Sequence, residues 1–152
     1  MSADLLARLT ADLTTAMKAR DVERTSILRQ VIGAVRTEQK AGSVAKDLTD
    51  DEVLKVLARE VKKRRESAQI YTDAGAPQRA ETESREADAI ETYLPARLSD
   101  DQLASLVRDV IASVGATTIR DMGTVMKEVT ARVGTAADGK KLSSLIRSEL
   151  TG

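Results

Sequence analysis

Apolar residues recur three and four positions apart along nearly the whole chain, and nowhere do they alternate over a stretch long enough for a sheet. β-Branched runs are scarce, and Pro77 and Pro95 are the only strong breakers, so the chain reads as all-α, in seven helices. The first, about residues 3 to 19, carries Leu6, Leu9, Leu13 and Met17 on one stripe. The second opens at Asp21, carries Ile27, Leu28, Val31, Ile32 and Val35, and is expected to end at Gly42. Thr49 and Glu52 form a capping box, with Leu48 placed to staple against Val53; the third helix then runs to about Tyr71 on Leu54, Leu57 and Val61, and Gly75 closes it. Pro77 opens the fourth helix. Tyr93-Leu94-Pro95 ends it, because the proline ring disfavours helical geometry at the residue before it and offers no amide to the next backbone bond.

The expected domain boundary lies there, giving an N-terminal helical domain of about four helices over 1–95 and a small C-terminal three-helix bundle over 96–152. Ser99 and Gln102 repeat the capping device ahead of Leu103, Leu106, Val107, Val110, Ile111 and Val114, and Gly115 stops that helix. Two shorter stripes follow, Met122, Val125, Met126, Val129 and Val133, then Leu142, Leu145, Ile146 and Leu150.

What is missing narrows function. Without histidine or cysteine the chain cannot build a Ser-His-Asp or Cys-His nucleophile, a thiolate metal site or a histidine proton shuttle. Tyr71 and Tyr93 are its only aromatics, too few for a base-stacking surface. Its 24 basic and 24 acidic residues cancel, so contact with a polyanion has to be local. No run approaches the length of a membrane span and the N-terminus lacks the layout of a signal peptide, from which a cytoplasmic protein without membrane contact is expected. No cofactor and no catalytic residue are expected.

Several local patterns have competing readings. Residues 134–140 carry the glycine and lysine spacing of a P-loop, but Lys141 stands where Ser or Thr should hold magnesium, and the preceding periodicity is helical where that motif needs a strand. Asp138 caps a helix whose first-turn amides, with Lys140 and Lys141, could seat one phosphate; a plain helix-to-helix turn is the alternative. Lys62-Lys63-Arg64-Arg65 with Arg59 is the densest basic run, either a phosphate ridge or a solvated face. The pairs Asp50-Asp51 and Asp100-Asp101 are explained by capping. Ser143-Ser144 beside exposed lysines does not make a Ser-Lys amidase, which needs a buried, deprotonated lysine. Met122 and Met126 fit core packing or an adaptable partner surface.

Three stretches together resemble the GatB/YqeY family: Glu91-Thr92-Tyr93-Leu94-Pro95 with Leu98-Ser99; Asp121-Met122-Gly123-Thr124-Val125-Met126; and Gly134 with Ala137-Asp138-Gly139-Lys140. The early Arg24, Leu28 and Arg29 and the run from Glu60 to Ser67 extend the likeness over nearly the whole chain. The chain looks like the free-standing form, similar to the C-terminal tail of the B subunit of the tRNA-dependent amidotransferase. The resemblance implies a tail that touches tRNA while the chemistry resides elsewhere, so a label of carbon-nitrogen ligase with glutamine as amido-N-donor would be inherited from the complex. It places the family's motif glycines on Gly123, Gly134 and Gly139 and its basic positions on Lys127 and Lys140; Thr124 replaces the lysine or other polar residue often found between Gly123 and Val125, which removes one candidate phosphate contact.

Two readings follow. In the first, an accessory protein contacts tRNA phosphates through Lys127, Arg132, Lys140, Lys141 and Arg147, with glycines 123, 134 and 139 admitting the backbone closely. In the second, an adaptor docks an amidotransferase or an aminoacyl-tRNA synthetase through the third helix and Met122-Met126, without RNA; a monomer is expected in either. Residues 98–152 hold seven basic and seven acidic residues, which counts against the first. One patch joining Lys127, Lys140 and Lys141 would favour it, and scattered charges the second.

Overall fold

The computed structural model describes residues 4–151, which contain seven α-helices, one short 3-10 turn and no strand. The chain divides into two compact units, Met1–Leu94 and Pro95–Gly152. The first holds α1 (Asp4–Lys18), α2 (Val22–Gln39), α3 (Asp50–Asp73) and α4 (Pro77–Glu91). The second holds α5 (Asp100–Val114), the turn Ile119–Asp121, α6 (Met122–Val133) and α7 (Gly139–Thr151). No described helix is long and apolar enough to cross a membrane.

In the first unit the capping box at Thr49 forms as the sequence requires, the hydroxyl accepting from the Glu52 amide at 3.2 Å and Glu52 accepting from the Thr49 amide at 3.3 Å. Its neighbour Asp50, in the first turn of α3, reaches another helix: its carboxylate accepts from the Leu5 amide in the first turn of α1 at 3.1 Å. The core gathers Leu9, Ile27, Leu28, Val31, Val35, Val53, Leu57, Val61, Ala87 and Ile90. The α3–α4 turn closes through Gly75 at φ 75°, with the Ala76 amide donating to the Tyr71 carbonyl at 2.8 Å, and Pro77 starts α4 where its missing amide costs nothing.

The structure corrects the sequence reading at several positions. Gly42 does not end α2: the helix stops at Gln39, where the Lys40 and Ala41 amides turn back to Thr37 and Glu38, and Gly42 is outside the left-handed region. Met17 is half exposed while Ala16 is buried in its place, seven residues after the buried Leu9 and so on the same face of α1. Helix α3 continues to Asp73, and its buried face is Val53, Val56, Leu57, Val61, Arg64 and Ala68, with Leu54 only half-buried.

Arg64 is the largest departure. It is 5% exposed, donates to Glu86 at 3.2 Å and to the Gln30 side chain at 2.8 Å, and lies 3.5 Å from Glu60. Arg65 is drawn onto Asp88 and Glu91, both at 2.7 Å. Half of the basic run therefore binds α3 to its neighbours, and only Lys62 and Lys63 remain an exposed face. Tyr93, at the end of the unit, donates to Asp12, accepts from Arg24 at 3.3 Å and lies under Arg8, 4.8 Å from the ring centre. Burial first, and then the Asp12 carboxylate, push its phenol up to about 12.

The second unit is a three-helix bundle closed around Leu103, Val107, Val110, Val125, Val129, Val133, Leu142 and Ile146. Ser99 and Gln102 form the expected capping box, and Gly115 ends α5 at φ 70°. The Leu98 amide donates to the Ala136 carbonyl at 3.1 Å, pinning the entry of α5 to the α6–α7 loop.

Arg64→Ala is expected to lower unfolding free energy by about 3 kcal/mol, because Glu60 and Glu86 lose their shared cation in a largely dry setting. Urea denaturation measures this; an unchanged midpoint would mean that the cluster is held by packing alone. The companion Arg59→Ala, whose ion pair with Glu38 is exposed, is expected to change stability by less than about 1 kcal/mol.

Candidate nucleic-acid interface

The second unit carries the residues that the tRNA reading of the sequence assigns to phosphate contact, Lys127, Arg132, Lys140, Lys141 and Arg147. Two of the five cations are already neutralised within it. Arg132 meets Glu128 one turn earlier on α6 at 3.1 Å, and Lys141 is paired with Asp100 at the start of α5. Arg108 likewise holds Glu149 at 3.3 Å. Lys127, Lys140 and Arg147 are exposed and have no carboxylate within ion-pair distance among the described residues. The proposed patch of Lys127, Lys140 and Lys141 is therefore broken: Lys140 and Lys141 lie about 100° apart around α7, and the second is turned toward α5.

Helix geometry assembles a different set. Lys140, Ser144, Arg147 and Thr151 are all exposed and follow one another at four, three and four residues, so they share the outward face of α7. Lys140 and Arg147 stand about 10 Å apart along it. On α6 the same spacing lines up Gly123, Lys127, Thr130 and Gly134 on the outward face opposite Val125, Val129 and Val133. Arg132 is about 140° around the axis from Lys127 and does not join that face.

The three glycines differ in what the backbone asks of them. Gly134 ends α6 at φ 54°, ψ −121°, a conformation that side chains rarely tolerate. Gly123 in the first turn of α6 and Gly139 at the first position of α7 have ordinary φ, and a methyl group added at either would meet nothing within 4 Å. Close helix packing therefore does not account for them. Both leave open backbone on the protein surface.

The helix starts are not equivalent as anion seats. At α7 the Lys140 amide already donates to the Asp138 carboxylate at 3.1 Å, so the phosphate seat expected there is occupied by the protein's own acid. At α6, Asp121 makes no side-chain cap; its carboxylate turns back to the Thr117 and Thr118 amides at 2.9 and 3.1 Å, which hold it below the usual carboxylate range. This clasp shapes the 3-10 turn, which the sequence reading missed and which the Thr118 and Asp121 capping box could have signalled.

Other candidates fall away. The P-loop-like residues join α6 to α7, with helix before them and no strand. Met122 and Met126 are half-buried against the bundle core, so they do not form a free partner surface. No group of three or more His, Cys, Asp or Glu among the described residues could hold a metal ion. A family model described as Yqey-like protein matches residues 6–150. No curated protein matches the chain.

Gly134→Ala is expected to destabilise the protein by about 1–3 kcal/mol, while Gly123→Ala is neutral or slightly stabilising. Thermal unfolding of both variants checks the contrast, and equal losses would show that Gly123 is a packing residue. Asp121 titrates below its unfolded value, so the stability it contributes is present above the unfolded carboxyl pKa and is lost as pH falls through the lower folded one. Asp121→Asn should therefore cost stability at pH 7 and progressively less on acidification, as read from denaturation midpoints between pH 7 and pH 3.

Proposed function

Since the chain belongs to the YqeY-like family, whose model spans nearly all of it, we propose that it is a non-catalytic accessory protein that binds tRNA through the outward faces of its C-terminal bundle. The contact is made by Lys140 and Arg147 on α7 and Lys127 on α6, with Gly123, Gly134 and Gly139 leaving the backbone open to a sugar-phosphate strand. The observation that carries the reading is the sorting of charge: residues 98–152, with seven acids and seven bases, pair Arg132, Lys141 and Arg108 internally and leave Lys127, Lys140 and Arg147, together with Arg120, exposed and without an ion pair among the described residues. Three phosphate contacts give modest, salt-sensitive affinity, and shape and phosphates are read because there is no aromatic surface to stack bases.

The resemblance to the tail of the amidotransferase B subunit supplies the context. Such a protein presents or retains the misacylated tRNA, and the carbon-nitrogen ligase reaction belongs to a partner enzyme. The broken patch of Lys127, Lys140 and Lys141 is the outcome that favours the adaptor reading, but half of the surface that reading needs is missing, because Met122 and Met126 are largely packed against the core.

Fluorescence anisotropy of unfractionated tRNA across a salt series tests this. Saturable binding is expected, with the slope of log K against log salt reduced by about two to three in a Lys127→Ala, Lys140→Ala, Arg147→Ala variant. An Arg132→Ala, Lys141→Ala variant is expected to keep the wild-type slope. Absence of binding at low salt overturns the proposal, as does an equal effect of the two variants.

A further inference from the structure

The first unit contains a second surface on which charge is uncompensated, far along the sequence from the bundle. Helix α2 has two carboxylates, and both are committed to other helices: Glu23 accepts from Arg85 of α4 at 3.2 Å and Glu38 from Arg59 of α3 at 2.9 Å. Of its basic residues Arg24 is taken up by Tyr93, while Arg29 and Arg36, and Lys40 just past the helix end, have no carboxylate partner among the described residues. Arg29 touches only the Met17 sulfur at 3.8 Å, and Arg36 and Lys40 make no side-chain hydrogen bond or ion pair among the described residues. All three are exposed.

They are also aligned. Arg29, Gly33, Arg36 and Lys40 succeed one another at four, three and four residues, within roughly 60° around the axis and opposite the buried Ile27, Val31 and Val35. Arg29 and Arg36 stand about 10 Å apart along the helix, and Lys40 about 6 Å beyond. The position between the arginines is a glycine, the only one in the interior of a described helix. Glycine weakens a helix relative to alanine, yet here φ is ordinary and an added methyl group would meet nothing within 4 Å. Nothing inside the protein explains it.

We propose that this face of α2 is a second RNA-contact surface, in which Arg29, Arg36 and Lys40 hold successive phosphates of one strand and Gly33 lets the sugar-phosphate backbone lie against the helix. Guanidinium forks suit phosphate oxygens. A protein partner fits less well, because a stable protein interface needs an apolar or aromatic centre, and the surface offers only Val22 at the start of the stripe and Met17 beside Arg29, with no aromatic residue. The assignment extends the tRNA reading above but uses none of the same residues.

The test pairs affinity with stability. Gly33→Gln places a neutral, helix-favouring side chain between the two arginines, and is expected to raise Tm by about 4 °C while weakening unfractionated-tRNA binding roughly tenfold. Arg29→Gln with Arg36→Gln should lower the salt slope by about two. Both effects should persist in a background lacking the Lys127, Lys140 and Arg147 charges, which separates this surface from that of the bundle. Wild-type affinity and slope in the α2 variants overturn this inference alone; α2 effects without any effect of the bundle variant uphold it and overturn the bundle site. If wild-type protein does not bind tRNA, both fail. Displacement of tRNA by polyglutamate as efficiently as by unlabelled tRNA would assign the face to acidic proteins and overturn it too.

Discussion

The first unit is organised by one buried guanidinium. Arg64 lies on the apolar face of α3 and holds Gln30 of α2, Glu60 of its own helix and Glu86 of α4, so three of the four helices meet at a single charge. A cation in such a place is tolerated only because its donors are satisfied and its countercharges keep some contact with water. The arrangement fixes the register of α3 against α4 at a point where the side chains of the interface are otherwise small, as at Ala68, Ala80 and Ala87. It also removes Arg64 from any functional role on the surface.

The same allocation of carboxylates shapes the rest of the surface. Formal neutrality hides it: Arg59, Arg65 and Arg85 are neutralised by acids on other helices, and in the second unit Arg108 and Lys141 are treated alike. Among the cations left over are several on helix faces directed away from their cores, Lys140 with Arg147 on α7, Lys127 on α6, Arg29 with Arg36 on α2, and Lys62 with Lys63 on α3. Electrostatic contact with a polyanion is local on such a molecule, and its strength depends on which residues escape pairing more than on how many are basic.

Glycines divide along the same line between folding and surface chemistry. Gly75, Gly115 and Gly134 adopt positive φ and terminate α3, α5 and α6, so their reason is conformational. Gly33, Gly123 and Gly139 do not, and they sit exposed beside the unpaired cations of their helices. A glycine without a conformational or packing reason is most simply read as room left for something outside the chain.

Much of the architecture was legible in the sequence because it rests on local rules. The capping boxes at Thr49 and Ser99, the stop at Gly115, the start at Pro77 and the stripe of α5 depend on residues within four positions of one another, and hydrophobic spacing alone identifies the helices. The family, too, was legible from short motifs. Sequence could not decide which of several equivalent charges are consumed by distant partners. Lys140 and Lys141 are neighbours of the same type, yet one is left without a carboxylate while the other finds Asp100, and of the adjacent arginines 64 and 65 only Arg64 is buried. Those outcomes are set by which helix faces meet, a property of tertiary packing, because an ion pair between residues tens of positions apart exists only once the cores have brought their helices together.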